Sequence, residues 1–144
     1  MNLAHRFLRF AQKSILLERN EMTENEISYE IRGAIFDVYN KLGPGLLESV
    51  YEVAMASELR KRGLKVERQV RIPVVYGDEV VEDAFRLDLL VEQKVIIELK
   101  SVLEMKNVFF LQLLTYLKLT GKHLGLLVNF NTDDIAHSIF RRIL

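Results

Sequence analysis

A chain of 144 residues, 49% hydrophobic and 28% charged, is large enough to bury one core, and its 20 basic and 20 acidic residues cancel; this balance argues against a tight, non-specific hold on nucleic acid through bulk charge. It contains no cysteine, which excludes thiol catalysis, zinc fingers and a disulfide framework and fits a reducing cytoplasm. No apolar run approaches the about 18 residues of a membrane helix, and the first residues carry no cleavable signal pattern, so the expectation is a cytoplasmic protein with no membrane partner.

Residues 3–17 place Leu3, Phe7, Phe10, Ala11, Ser14 and Leu17 at helical spacing, with Arg6, Arg9 and Lys13 elsewhere on the wheel. The pattern predicts a short basic amphipathic helix. Met22 is followed at once by Thr23-Glu24-Asn25-Glu26, a helix-capping pattern, so residues 1–22 are expected to be an appendage and residues 23–144 the folded domain. From Glu26 to Leu42 the stripe Ile27, Ile31, Ile35, Val38 and Leu42 predicts a helix packed by one face, and Gly43-Pro44-Gly45 stops it. A second helix is expected from Leu46 to Arg62, with Leu47, Val50, Tyr51 and Ala54 as its core face and Gly63 as its left-handed stop.

Beyond Gly63 the apolar period changes to two and β-branched residues dominate. Three consecutive antiparallel strands follow at about 65–76, 79–91 and 94–101, joined by turns at Gly77-Asp78 and Glu92-Gln93-Lys94. Pro73 lacks a donor and places the first strand at an edge or on a bulge. Residues 107–120 form a helix apolar on nearly every side, expected to be buried on more than one face and in part against a second subunit, as a homodimer seam. Leu124 to Val128 read as a strand covered on both faces, parallel to a neighbour because it follows a crossover helix. Asn129 to Asp133 make a loop, and residues 139–144 suit a strand or a short helix. The order describes one α/β sheet with helices on its faces.

Within this framework the strands around Asp88 and Glu98 carry ionisable groups where burial is expected. Glu98 and Lys100 share one face of their strand while Ile97 and Leu99 point into the core, and a hairpin brings Asp88 alongside. Two carboxylates aimed at one buried spot call for a shared cation. Arg60, Lys61, Arg62, Lys65, Arg68 and Arg71 cluster just before an acidic stretch from Asp78 to Glu92. That segregation suits a phosphate-binding rim beside an acidic pocket, or simply a solvated charged surface. The three histidines, His5, His123 and His137, are scattered and read as surface residues.

Asp88, followed ten residues later by Glu98-Leu99-Lys100, resembles the D…(D/E)xK signature of the PD-(D/E)XK nuclease superfamily. Gly45-Leu46-Leu47-Glu48-Ser49-Val50-Tyr51 resembles the motif that names the GxxExxY family within it, and Gln112-Leu113-Leu114-Thr115-Tyr116-Leu117 fits the same pattern. The likeness runs from Ile27 to the C-terminus. It implies a restriction-endonuclease-like αβββαβ core, a mixed sheet flanked by helices, preceded here by the extra N-terminal amphipathic helix. It also implies a Mg²⁺- or Mn²⁺-dependent nuclease acting on nucleic acid, DNA foremost. Asp88, Glu98, the carbonyl of Leu99 and Glu48 would be the metal ligands, and Lys100 would orient or help deprotonate the attacking water. Tyr51 and Glu52, three and four residues after Glu48, would orient it or meet substrate, although core packing alone also explains Tyr51. Gln112 and Tyr116 would give the later helix a polar strip facing the site. This chain departs from the pattern at Leu87, where the first motif has proline, and at Tyr39 and Phe109, where histidines are common. The alternative is a catalytically inactive nuclease fold kept as a binding or assembly module.

Overall fold

Thr23 begins the folded body as a cap: its hydroxyl accepts from the Glu26 N–H at 3.2 Å while Glu26 reaches back to it. The computed structural model describes residues 2–19 and 21–144. In chain order the elements are α1 (Leu3–Arg19), α2 (Glu24–Leu42), α3 (Glu48–Lys61), β1 (Val66–Tyr76), β2 (Glu79–Val91), β3 (Val95–Lys100), α4 (Asn107–Thr120), β4 (Leu124–Asn129) and β5 (Ile139–Ile143). α1 leaves Leu3, Phe7, Leu8 and Phe10 exposed; the side chains of Lys13, Ser14 and Leu17 lie outside the described residues. No helix among the described residues is long and apolar enough to cross a membrane.

The five strands lie in the order β1-β2-β3-β4-β5, all antiparallel except the β3–β4 pair. α3-β1-β2-β3-α4-β4 is therefore the expected αβββαβ core with a mixed sheet, and the chain's last residues resolve as a strand. Pro73 sits on edge strand β1 within a register shift between Ile72 and Val74, the place a residue without a donor is tolerated. Helices α2 and α3 cover one face of the sheet over Leu89, Val91, Val95, Ile97 and Leu99. α4 covers the other with Leu113, Tyr116 and Leu117 against Leu87, Leu90, Ile96 and Leu127. A Cβ at Gly125 on β4 would stand 2.6 Å from Leu113 Cδ1, so glycine lets α4 lie this close to the sheet.

Two packing expectations need correction. Leu47 and Val50 are exposed and Ala54 only half-buried; the inward face of α3 is Tyr51, Glu52, Met55, Ala56 and Leu59. Leu47 is an extended cap before Glu48 rather than a helical residue, and the helix is rotated so that Tyr51, Met55 and Leu59 meet the core in place of Val50 and Ala54. Leu42, the last residue of α2, is exposed as well, on the open side of a groove it shares with Ala54, Ser57 and Lys61 of α3. Within the single chain α4 is buried on one face only, leaving Val108, Leu111 and Leu119 exposed.

Candidate functional site

β2 and β3 pair through only three positions, Leu89 with Ile97, Leu90 with Ile96 and Val91 with Val95. Beyond Leu89 the strands part, and side chains take over from the backbone ladder. The Asp88 N–H donates to Glu98 Oε1 at 3.1 Å, and the Leu99 N–H donates to Asp88 Oδ2 at 2.8 Å. These reciprocal bonds satisfy two backbone donors left without ladder partners and fix both carboxylates side by side. Glu98 is 5% exposed; burial and then the charge of Asp88 push its carboxyl well above the usual range. Burial raises the Asp88 carboxyl too, and the Lys100 ammonium opposes both shifts without cancelling them. Two hard oxygen donors short of positive charge are the donor set that suits Mg²⁺ or Mn²⁺.

Lys100 follows Glu98 on β3, and its Nζ lies 4.5 Å from the centre of the Phe109 ring on α4. The aromatic face steadies the ammonium beside the carboxylates. Tyr116, further along α4, is buried and meets Phe85 edge-on with centroids 5.4 Å apart. Its hydroxyl is pushed up to about 12 by burial and by the charges of Glu98 and Asp88, so it stays a neutral donor at working pH. Gln112 lies half-buried one turn earlier on the same helix.

Glu48 is presented by a tied-down loop. The Tyr51 ring stacks on Phe130 with centroids 4.3 Å apart and planes 6° from parallel. Its hydroxyl donates to the Gly43 carbonyl at 2.6 Å and accepts from the Leu46 N–H at 3.2 Å, fixing the bend from which α3 starts. Glu48 Oε1 then accepts from the Ser101 N–H at 3.3 Å, while the Ser101 hydroxyl donates to the Leu46 carbonyl. Among the described residues no three His, Cys, Asp or Glu side chains are spaced to hold a metal; Asp88 and Glu98 are brought together, and Glu48 is turned to the end of β3. Glu48 and Asp88 nevertheless line one cleft of about 180 Å³, together with Ser49, Glu52 and Gln69.

Glu52 is 6% exposed. Arg68 Nε and Nη2 donate to its Oε2 at 3.2 and 3.0 Å, and the Gln69 amide donates to its Oε1. Gln69, Ser101 and Phe109 are contributors that residue patterns did not single out for these contacts. The signal for Phe109 was its position between Lys100 and Gln112; Gln69 and Ser101 carry no motif. Much of the basic rim is engaged internally: Arg62 binds Glu30 at 2.9 Å and Asp37 at 2.6 Å, Arg68 binds Glu52, and Arg60 donates to the Val66 carbonyl. Arg86 pairs with Asp83 at 2.8 Å rather than with either motif carboxylate. His5, His123 and His137 are exposed, and the Tyr39 hydroxyl donates to the Thr132 carbonyl at 2.6 Å.

Comparison with known proteins adds three findings. A family model described as the PD-(D/E)XK nuclease superfamily matches residues 25–143. Among solved structures, one described as "Crystal structure of SSO0001" is similar over 99% of this chain and 78% of that one, with a TM-score of 0.53 and 18% identity, a likeness of fold. No curated protein matches.

Proposed function

We propose, because this chain belongs to the PD-(D/E)XK nuclease superfamily, that it is a divalent-cation-dependent nuclease of the GxxExxY type, hydrolysing phosphodiester bonds in DNA. The observation that carries the reading is the pair of buried carboxylates at the parting of β2 and β3, each bonded to the other's strand and short of positive charge. Asp88, Glu98 and the Leu99 carbonyl, joined by Glu48 from α3, would hold Mg²⁺ or Mn²⁺, which when bound supplies Lewis acidity to the phosphate. Lys100, steadied by Phe109, orients the attacking water, assists removal of its proton and offsets phosphate charge. Tyr116 and Gln112 line the α4 side as neutral donors. A cytoplasmic location and an appended segment at residues 1–22 belong to the same proposal.

The test is a panel of single- and double-stranded DNA and RNA with Mg²⁺ or Mn²⁺, run on wild type, Glu98→Ala and Lys100→Ala. Cleavage should require the metal and fall about 10²–10⁴-fold in Lys100→Ala, with circular dichroism unchanged. Equal cutting by all three proteins would assign the activity elsewhere. A second reading, a non-cleaving assembly module, has one observation in its favour: Val108, Leu111 and Leu119 are exposed along α4 and would suit a homodimer seam. A folded protein with no Mg²⁺ or Mn²⁺ affinity up to millimolar concentration by calorimetry would favour it.

A further inference from the structure

Gln69 lies in the middle of β1, yet its φ of 51° is in the left-handed region that residues with a Cβ seldom occupy. Its neighbours pair regularly, Arg68 with Leu89 and Val70 with Leu87. The irregularity is confined to the one residue that faces Asp88 across the hairpin. Such a conformation persists only where its surroundings impose it, and here they do so through one contact set. The Gln69 amide grips one oxygen of Glu52 while Arg68 grips the other at 3.2 and 3.0 Å. Glu52 is thus a buried carboxylate anchored by both oxygens, and Asp88 feels its charge. Gln69, Glu52 and Asp88 line the same cleft. The core does not require this arrangement: position 52 sits on the inward face of α3 beside Met55 and Ala56, where an apolar residue would pack, and a regular residue at 69 would continue the strand.

We propose that Glu52 is an outer carboxylate of the cation site and that Gln69 is the positioning residue that holds it there; the inference rests on the nuclease reading above. With both oxygens already bonded to the protein, Glu52 does not take a ligand position. It sets a negative charge behind Asp88, and its own burial strengthens its pull on a cation held there. Gln69 keeps that charge from turning away, and its left-handed backbone is what aims the amide across to α3. Arg68 anchors the other oxygen from the solvent side, where its own charge is partly screened, its side chain being 40% exposed.

The test reads Mn²⁺ binding, by calorimetry or by the Mn²⁺ resonance signal, together with thermal unfolding, in wild type, Gln69→Gly, Gln69→Asn and Glu52→Gln. Glycine takes up a left-handed backbone without strain, which offsets part of the cost of leaving Glu52 Oε1 without its amide partner, so Gln69→Gly should unfold within about 3 °C of wild type while Mn²⁺ affinity falls about tenfold. Asparagine tolerates the backbone, but its amide stops one methylene short, and a similar loss is expected. Glu52→Gln should lose at least as much. Undiminished Mn²⁺ affinity in Gln69→Gly would overturn the assignment, as would a loss accompanied by an equally clear drop in unfolding temperature, the mark of a residue that only supports the fold. Wild type that binds no Mn²⁺ at millimolar concentration would instead remove the nuclease reading itself.

Discussion

Replacing Glu98 by glutamine removes a charge and keeps a shape, because the amide oxygen can still accept the Asp88 N–H that Glu98 Oε1 takes at 3.1 Å. In the wild type, burial and the neighbouring carboxylate hold the Glu98 carboxyl well above its usual range, and burial raises Asp88. The folded protein therefore keeps protons that the unfolded chain has already released. Its stability declines as pH rises from the ordinary carboxylate range through the folded-state values. A buried polar group left uncompensated costs about 1–3 kcal/mol, and more if charged. An unfolding entropy of about 2.1 cal/mol/K per residue gives about 0.3 kcal/mol/K for 144 residues. Glu98→Gln should accordingly unfold about 3–10 °C above wild type at about pH 8 in EDTA, with the gap closing as the solution is acidified below the usual carboxylate range. Mg²⁺ should raise the wild-type unfolding temperature and leave the variant nearly unmoved. Calorimetric scans across pH, with EDTA or Mg²⁺, measure all three effects. A variant less stable than wild type in alkaline EDTA, or two pH curves that run parallel, would refute the reasoning.

Gly125→Ala drives a methyl into Leu113, which is fully buried; urea melts should show a loss of about 1–3 kcal/mol, the double variant with Leu113→Ala should lose less than the two single variants summed, and strict additivity would mean they do not touch. Tyr51→Phe keeps the stack on Phe130 and loses both hydroxyl contacts. It should lower stability by about 1–2 kcal/mol and reduce cleavage further than that loss alone explains, as Glu48 loses its mounting; unchanged kinetics would argue against the loop's role. Among the described residues, removing residues 1–21 deletes the Glu21–Lys94 pair at 2.9 Å, worth at most about 1 kcal/mol, and on that contact alone the unfolding temperature should shift by no more than about 3 °C. A collapsed transition would show that the segment is part of the fold.

The sheet was legible because its signals are local. Alternating β-branched residues, Gly77-Asp78 and Pro73 suffice for the hairpin and its edge position, and a strand following a crossover helix pairs in parallel for steric reasons. Asp88 and Glu98 were legible for the same reason, as charges in apolar runs. Helix faces were less so. The inward stripe of α3 depends on how the helix is rotated against the sheet and α2, and that rotation turns Val50 outward and Glu52 inward, while Leu47 lies before the helix as an extended cap. Gln69 was hidden by long-range register. Counting back from the Tyr76–Glu79 pair at the turn places it opposite Arg86, and the shift between Ile72 and Val74 moves it to Asp88. The basic cluster was legible only in part, because a run of arginines in sequence says nothing of their acidic partners, and Arg62 and Arg68 are met by residues from α2 and α3.

Only three of the thirteen residues of β2 pair with β3, whereas its partnership with β1 extends over nearly its whole length. An order of assembly is expected from this as the chain leaves the ribosome. The β1–β2 ribbon closes over a two-residue turn and can form as soon as Val91 emerges, since short loops lose little entropy on closure. β3 adds little to it and waits for its parallel partner, as Val95 pairs with Leu124 far downstream. Gln69 and Asp88 thus face each other early, while Glu98 is locked in place only after α4 has been synthesised. Pulsed hydrogen exchange should find the β1–β2 amides protected before those of β3 and β4, which would make completion of the acidic pair a late event in folding.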